Sequence, residues 1–342
     1  MVALLARIAA HAEANRAYEA LRRDRIKQVL GSADVHPWDL TAPVGTVAPR
    51  FTTKQASDAV IAAAQPMGQI YVEELRALLD PRNGRLDVAP GPGRVDQPGF
   101  ATGSVGYPST FYQGQFSGFT EDVVILAHEA GHAVQNMMMD RRGVLPRYAF
   151  GPSFFTESFG VFAELMTLRH LYRSEPDTAV KIFYLERLID QAADMFRNAA
   201  EASLEQSIYD SVSVGRRLNA DEIESLMQKT GSRYSSWFGP GSERQLAWVQ
   251  PLQLYTWPLY RLNYVYARVL ALAYIDMLET DARNFVPRFN ELLSGGYDAP
   301  PDTILQRSLG LRLNDAALPD RSASVIAKWT DELRALYQAY GS

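Results

Sequence analysis

Apolar residues recur at three- and four-residue spacing through most of this chain, and that period commits it to helices. Over residues 1–30, Leu4, Ile8, His11, Ala12, Tyr18, Leu21, Ile26 and Leu30 form one stripe, predicting an amphipathic helix that ends at Gly31. An irregular stretch follows from His36 to Phe51, marked by Pro37, Pro43 and Pro49. A second helix is predicted from Thr53 to Leu79, closed by the turn sequence Asp80-Pro81-Arg82-Asn83-Gly84. Residues 85–118 break the pattern: Leu86-Asp87-Val88 alternates, and Gly91-Pro92-Gly93, Gly99, Gly103 and Gly106 punctuate the rest. Short strands and loops fit that stretch. Helix returns at Thr120 and runs past Met138, with a connection from Arg141 to Pro152. Further helices are predicted at 154–173, 177–214, 220–230, 255–279 and 321–340, the last after a loop from Gly295 to Pro301. The predicted class is mainly α, with one small β element directly before its most distinctive helix.

Composition narrows the chemistry. The chain has 342 residues and no cysteine, which excludes disulfide scaffolds, cysteine-rich zinc sites, thiolate iron–sulfur clusters and cysteine nucleophiles. Any transition metal must therefore sit on His, Asp or Glu, and there are five histidines. Basic and acidic residues number 34 and 39 and are interspersed, for a net charge of −5, which argues against a nucleic-acid partner. The basic run from Arg22 to Lys27 is interrupted by Asp24 and reads as a solvated helix face. The longest greasy segment, Val269 to Met277, contains Asp276 and is far too short to span a bilayer. The apolar stretch Val2 to Leu5 is cut by Arg7, with no cleavage-site pattern after it. With Met1 taken as the native start, these features predict a cytoplasmic protein with no membrane partner.

The distinctive helix carries His128-Glu129-Ala130-Gly131-His132. Residues four apart share a helix face, so both imidazoles can aim at one ion, with Glu129 about 100° round from His128 and beside that ion. This is the H-E-x-x-H arrangement of zinc peptidases, two ligands and a carboxylate that acts as base. Val123, Leu126, Ala127, Ala130, Val134 and Met137 supply the opposite, buried face. Gly131 costs about 1 kcal/mol of helix propensity relative to Ala, which points to close packing there. A catalytic zinc needs a third protein ligand. Glu157 and Glu164 lie seven apart, on one face of a phenylalanine-rich helix, and two acids in that setting need a cationic partner. Glu129-Ala130-Gly131-His132 also fits the Glu-x-x-His motif of di-iron bundles, which requires a second copy. His11, His36 and His170 have no Glu three positions earlier, which argues against that chemistry.

These stretches resemble the catalytic region of the thimet oligopeptidase and oligoendopeptidase F family of gluzincin-like zinc metallopeptidases. The resemblance rests on Asp122 to His132 with Gln135, on Glu157 and its Glu-x₆-Glu spacing to Glu164, and on the run from Trp257 to Tyr266. Weaker echoes occur at Ala33 to Leu40, in the glycine-rich 91–118 region and at Leu293 to Asp298. The resemblance implies one Zn2+ per chain, held by His128, His132 and Glu157, with Glu129 activating a zinc-bound water for attack on peptide bonds of short oligopeptides. It further implies a helical bowl around a deep cleft, with a strand from the 91–118 region lying along bound peptide. Tyr260 and Tyr264, one helical turn apart, become candidate donors to the tetrahedral intermediate. Glu164 and Asp122 become candidate acceptors behind the ligand histidines, although charge complementation at the helix start explains Asp122 equally well.

Two departures from the family follow. Members usually carry a further N-terminal helical portion, so the resemblance implies a single catalytic domain over 1–342, in parts 1–84, 85–118 and 119–342, that is either a natural short form or is completed by a missing segment or a partner chain. The family also places a histidine before the C-terminal tyrosines, whereas no histidine follows His170 here; Gln253 or Pro258 takes its place, and Gln253 can still donate a hydrogen bond. The competing reading is a catalytically inactive relative that binds zinc or peptide.

Overall fold

The computed structural model describes residues 1–31, 34–41, 48–89, 91–94, 99–239, 242–251 and 253–341, and helix dominates them. In chain order the helices are α1 (Val2–Ala10), α2 (Ala12–Leu30), α3 (Thr53–Ala63), α4 (Gln69–Leu79), α5 (Thr120–Arg141) and α6 (Ser153–Ser174). They continue with α7 (Thr178–Ser213), α8 (Ala220–Gly231), α9 (Gln253–Thr256), α10 (Tyr260–Ser294), α11 (Pro301–Leu309) and α12 (Ala317–Gly341). Strands β1 (Leu86–Asp87), β2 (Phe100–Ser104) and β3 (Tyr107–Tyr112) form one sheet in the order β1-β3-β2. β1 runs parallel and β2 antiparallel to the central β3. The class is the predicted one, mainly α with a small sheet beside the helix that bears His128.

Where boundaries differ from the prediction, local chemistry explains most of them. The first predicted helix is interrupted at His11 (φ −103°, ψ 11°), whose Nε2 lies 2.6 Å from Asp320 on α12. The second divides at a 3₁₀ turn, Gln65–Met67, because Pro66 lacks an N–H and Gly68 takes φ 89°. The helix predicted over 255–279 starts at Tyr260, after Pro258, and loses helical geometry at Asp281 before resuming to Ser294. α11 was unpredicted although its signals are present: Pro301 at the first position, Asp302 in the first turn and Gly310 as a left-handed cap. Pro43 and residue Ala33 lie outside the described residues.

The chain forms two compact units, Met1–Thr46 with Ile189–Val269 and Ala316–Ser342, and Val47–Leu188 with Leu270–Asp315. In the first unit Ile8, Ile26, Tyr234, Val265, Ile326 and Trp329 are fully buried. Arg22 corrects the reading of its basic run as a solvated face: it is buried, donating to the Tyr337 hydroxyl (3.1 Å) and the Leu40 carbonyl (3.1 Å). In the second unit Phe159 and Phe162 of α6 pack with Tyr274, Phe285 and Phe289, and Phe155 packs with Phe159 and Tyr297. Each buried ring contributes about 1.5–3 kcal/mol, so this cluster anchors the helix that carries Glu157 and Glu164. The close approach anticipated at Gly131 is present: a Cβ there would lie 2.9 Å from the Phe159 carbonyl oxygen and 3.2 Å from Gly160 Cα.

Candidate active site

Two helices and one strand of the second unit assemble the site. α5 enters through Asp122, whose carboxylate accepts from the backbone N–H groups of Ser117 (2.9 Å) and Phe119 (3.1 Å) and from Gln113 Nε2 (2.8 Å). Asp122 thus caps the helix and ties it to the residue after β3. Its place behind a ligand histidine is not what the structure shows, because a first-turn position faces the donors of the helix entry.

Two turns further on, His128 Nε2 and His132 Nε2 lie 3.1 Å apart, with rings nearly perpendicular. Glu157 Oε2 stands 3.2 Å from His128 Nε2 and 3.8 Å from His132 Nε2. Glu164 Oε1 lies 2.5 Å from the other nitrogen of His128, Nδ1. The two acids of α6 therefore meet His128 from opposite sides. A Cβ on Gly160 would come within 2.8 Å of the His128 ring, so only glycine leaves room for it. Glu129 Oε2 accepts from the backbone N–H of Ala101 in β2 at 2.8 Å, and β2 is an edge strand. The Glu129 carboxylate is thereby held at the border of the sheet.

Burial and charge act in opposition here. Burial disfavours charge on His128, but its hydrogen bonds to Glu157 and Glu164 outweigh that and raise its pKa well above the ordinary value. Burial and the neighbouring His128 charge push His132 down to about 4. Burial raises the Glu129 pKa, against the pull of His128 and the Ala101 N–H.

The donor set fits a metal. Ligand atoms of His128, His132 and Glu157 lie within 4.8 Å of one another. Zinc bonds of about 2.0–2.2 Å in tetrahedral geometry place ligand atoms about 3.3–3.5 Å apart. The three observed separations of 3.1, 3.2 and 3.8 Å bracket that spacing.

Tyr260, Tyr264 and Gln253 belong to the first unit. The two phenols are half-buried, with hydroxyls 3.3 Å apart and rings edge to face. Gln253 Oε1 accepts from Arg261 Nη2 at 3.3 Å. Leu259, just before Tyr260, is the one non-glycine residue with positive φ (57°) among the described residues, and its N–H donates to buried Glu205 at 2.5 Å. Sequence reasoning missed Gly160, Ala101 and Tyr297, the last accepting from Gln135 Nε2 at 2.5 Å. A glycine within an apolar helix was the available signal for Gly160. Backbone and long-range partners such as Ala101 leave none.

Comparison with known proteins bears on this arrangement. The model of peptidase family M3 matches residues 3–322. The chain belongs to peptidase family M3. An oligoendopeptidase F homologue of Mycoplasma pneumoniae is 20% identical to this M3 chain over 339 residues, covering 94% of it and 54% of the relative. One of Borreliella burgdorferi is 22% identical over 222 residues, covering 64% of the chain and 37% of the relative. Among crystal structures, a Chlamydophila abortus peptidase matches with TM-score 0.81 and 19% identity, covering 98% of the M3 chain and 56% of that protein. Oligoendopeptidase F from Enterococcus faecium matches with TM-score 0.66 and 18% identity, covering 98% and 52%. The M3 chain thus spans about half or less of the relatives it matches, and the structural likeness is one of fold.

Proposed function

We propose that the chain is a zinc-dependent metalloendopeptidase of short oligopeptides, with one Zn2+ held by His128, His132 and Glu157 and with Glu129 as base. The observation that carries this reading is the convergence of two imidazoles and a carboxylate at metal-ligand spacing, beside a fourth group free of that role. When bound, Zn2+ supplies Lewis acidity that polarises a carbonyl and acidifies water. Glu129 takes the proton of the attacking water and delivers it to the leaving amine. The Ala101 N–H steadies one Glu129 oxygen and leaves the other available. Glu164 fixes the His128 ring through Nδ1, which keeps Nε2 turned toward Glu157. The edge position of β2 supports pairing with an extended peptide.

Tyr260 and Tyr264 are the proposed donors to the developing oxyanion, each worth about 2.7–4 kcal/mol by analogy with measured oxyanion holes. In this proposal residues 1–342 act as one catalytic domain with cytoplasmic residence. No helix among the described residues is long and apolar enough to cross a membrane.

Hydrolysis of a quenched fluorescent oligopeptide by the zinc-loaded protein tests the proposal. Turnover should fall about 10²–10⁴-fold in Glu129→Gln. Unchanged turnover in that variant overturns the mechanism. No wild-type turnover despite stoichiometric zinc favours the inactive binding relative, and turnover only after addition of a second protein favours the partner-chain reading.

A further inference from the structure

The first unit contains a cavity of about 320 Å³ whose lining holds neither the zinc-site residues nor Tyr260 and Tyr264. Its carboxylates are already engaged. Glu19 accepts from Asn15 (2.9 Å), the Ser235 hydroxyl (2.5 Å), and both the N–H (2.8 Å) and hydroxyl (2.6 Å) of Ser236. Asp190 accepts from the Tyr18 hydroxyl at 2.6 Å. Asp194 pairs with Arg197 (2.6 Å) and Arg268 (3.1 Å), and Glu201 pairs with Arg261 (2.7 Å).

Arg244 is the exception among the charged groups of the cavity wall. Its guanidinium makes no hydrogen bond or ion pair with the described residues, although burial works against its charge and only the fields of Glu19 and Glu201 support it. A guanidinium cannot shed its proton to escape that cost, and its five donors call for an acceptor. Gln253 adds two more donors: its carbonyl oxygen is taken by Arg261, and its amide nitrogen has no partner among the described residues. Met227, Trp237, Phe238 and Pro251 supply an apolar wall to the same cavity.

Donors with no partner among the described residues, set in the same lining as apolar side chains, select a ligand that carries acceptors at one end and hydrocarbon at the other. A cavity of this size sits at the lower end of small-molecule sites. With Arg268 behind Asp194, four arginines balance four acids, so the cluster tolerates one added negative charge better than two. A carboxylate also matches the planar fork of arginine, forming two parallel hydrogen bonds. We propose that this cavity binds a small organic monocarboxylate with an apolar body, its carboxylate held by Arg244 with Gln253 as a further donor.

Calorimetric titration of the full chain with phenylacetate tests this, with phenylacetamide as the uncharged counterpart and inorganic phosphate as the dianionic one. Saturable phenylacetate binding is expected, weakened about tenfold or more in Arg244→Gln, with phenylacetamide weaker than phenylacetate by a similar factor. Thermal unfolding of each variant reports its folding. If Arg244→Gln proves unfolded, Gln253→Ala carries the test, with an expected loss of about fivefold. No saturable phenylacetate binding, equal binding of the amide, tighter binding of phosphate, or unchanged affinity in a folded variant overturns the proposal.

Discussion

Gly160 on α6 packs against the imidazole of His128 on α5 so closely that an added Cβ would lie 2.8 Å from ring atoms Cε1 and Nε2. Together with Gly131 on the facing helix, it lets the two helices approach until Glu157 and Glu164 straddle His128. In Gly160→Ala the ring must move or the helices must part. Zinc affinity, read by competition with a chelating dye, should fall about 10–100-fold, as for other losses of support behind a metal ligand. Affinity equal to wild type would show that the ring has slack.

Metal binding should release a proton at neutral pH. Metal-free His128 keeps its proton well above the ordinary histidine range, because Glu157 and Glu164 face it, whereas His132 is already neutral. Zinc therefore displaces one proton from His128, and affinity should rise about tenfold per pH unit below the raised value. Calorimetry in buffers of different ionisation enthalpy measures this directly. Heats independent of buffer contradict it. The sign for the metal-free fold follows from the same raised pKa: the charged His128 contributes stability in full below its unfolded value, and that contribution disappears as pH rises through the folded one.

Asp194→Asn should cost about 3–5 kcal/mol at neutral pH, since it leaves buried Arg268 without its charge partner. Burial opposes the charge of Asp194, but Arg268 and Arg197 more than compensate and hold its pKa below the ordinary carboxylate value. Its contribution is therefore present above the unfolded value and is lost as pH falls through the folded one. Urea denaturation at neutral and acidic pH should show the gap between variant and wild type closing on the acid side. A constant gap would place the effect in packing instead of charge.

Leu259→Gly should stabilise the protein. A left-handed backbone costs a side-chain-bearing residue about 1–2 kcal/mol, partly offset by the greater unfolded-state freedom of glycine, leaving a gain of about 0.5–1 kcal/mol. Equilibrium unfolding in urea reads the difference, and a destabilised variant would show that Leu259 packing outweighs the relieved strain.

Much of the fold was legible because helices are encoded locally. Periodicity located α5, α6, α7 and α8 to within a residue or two, and Gly31 marked the end of α2 with a left-handed cap. The errors cluster where one residue overrides the period: His11 with its reach to Asp320, the Pro66 and Gly68 pair, and Pro258 before a strained Leu259. Arg22 reads as solvated because its sequence neighbours are charged, while its actual partners, Leu40 and Tyr337, come from distant segments.

The sequence by itself determined that His128 and His132 share a face, since a period of 3.6 residues leaves no alternative once α5 is helical. It also determined that the remaining donors had to be carboxylates, since the chain has no cysteine and few histidines. Only the tertiary structure decided which carboxylate does what. Glu157 and Glu164 are equivalent by spacing, and the rotation of α6 against α5 sends one to both Nε2 atoms and the other to His128 Nδ1. That rotation is set by side-chain volumes at the contact, above all the missing ones at Gly131 and Gly160, and no local period records how two separate helices pack.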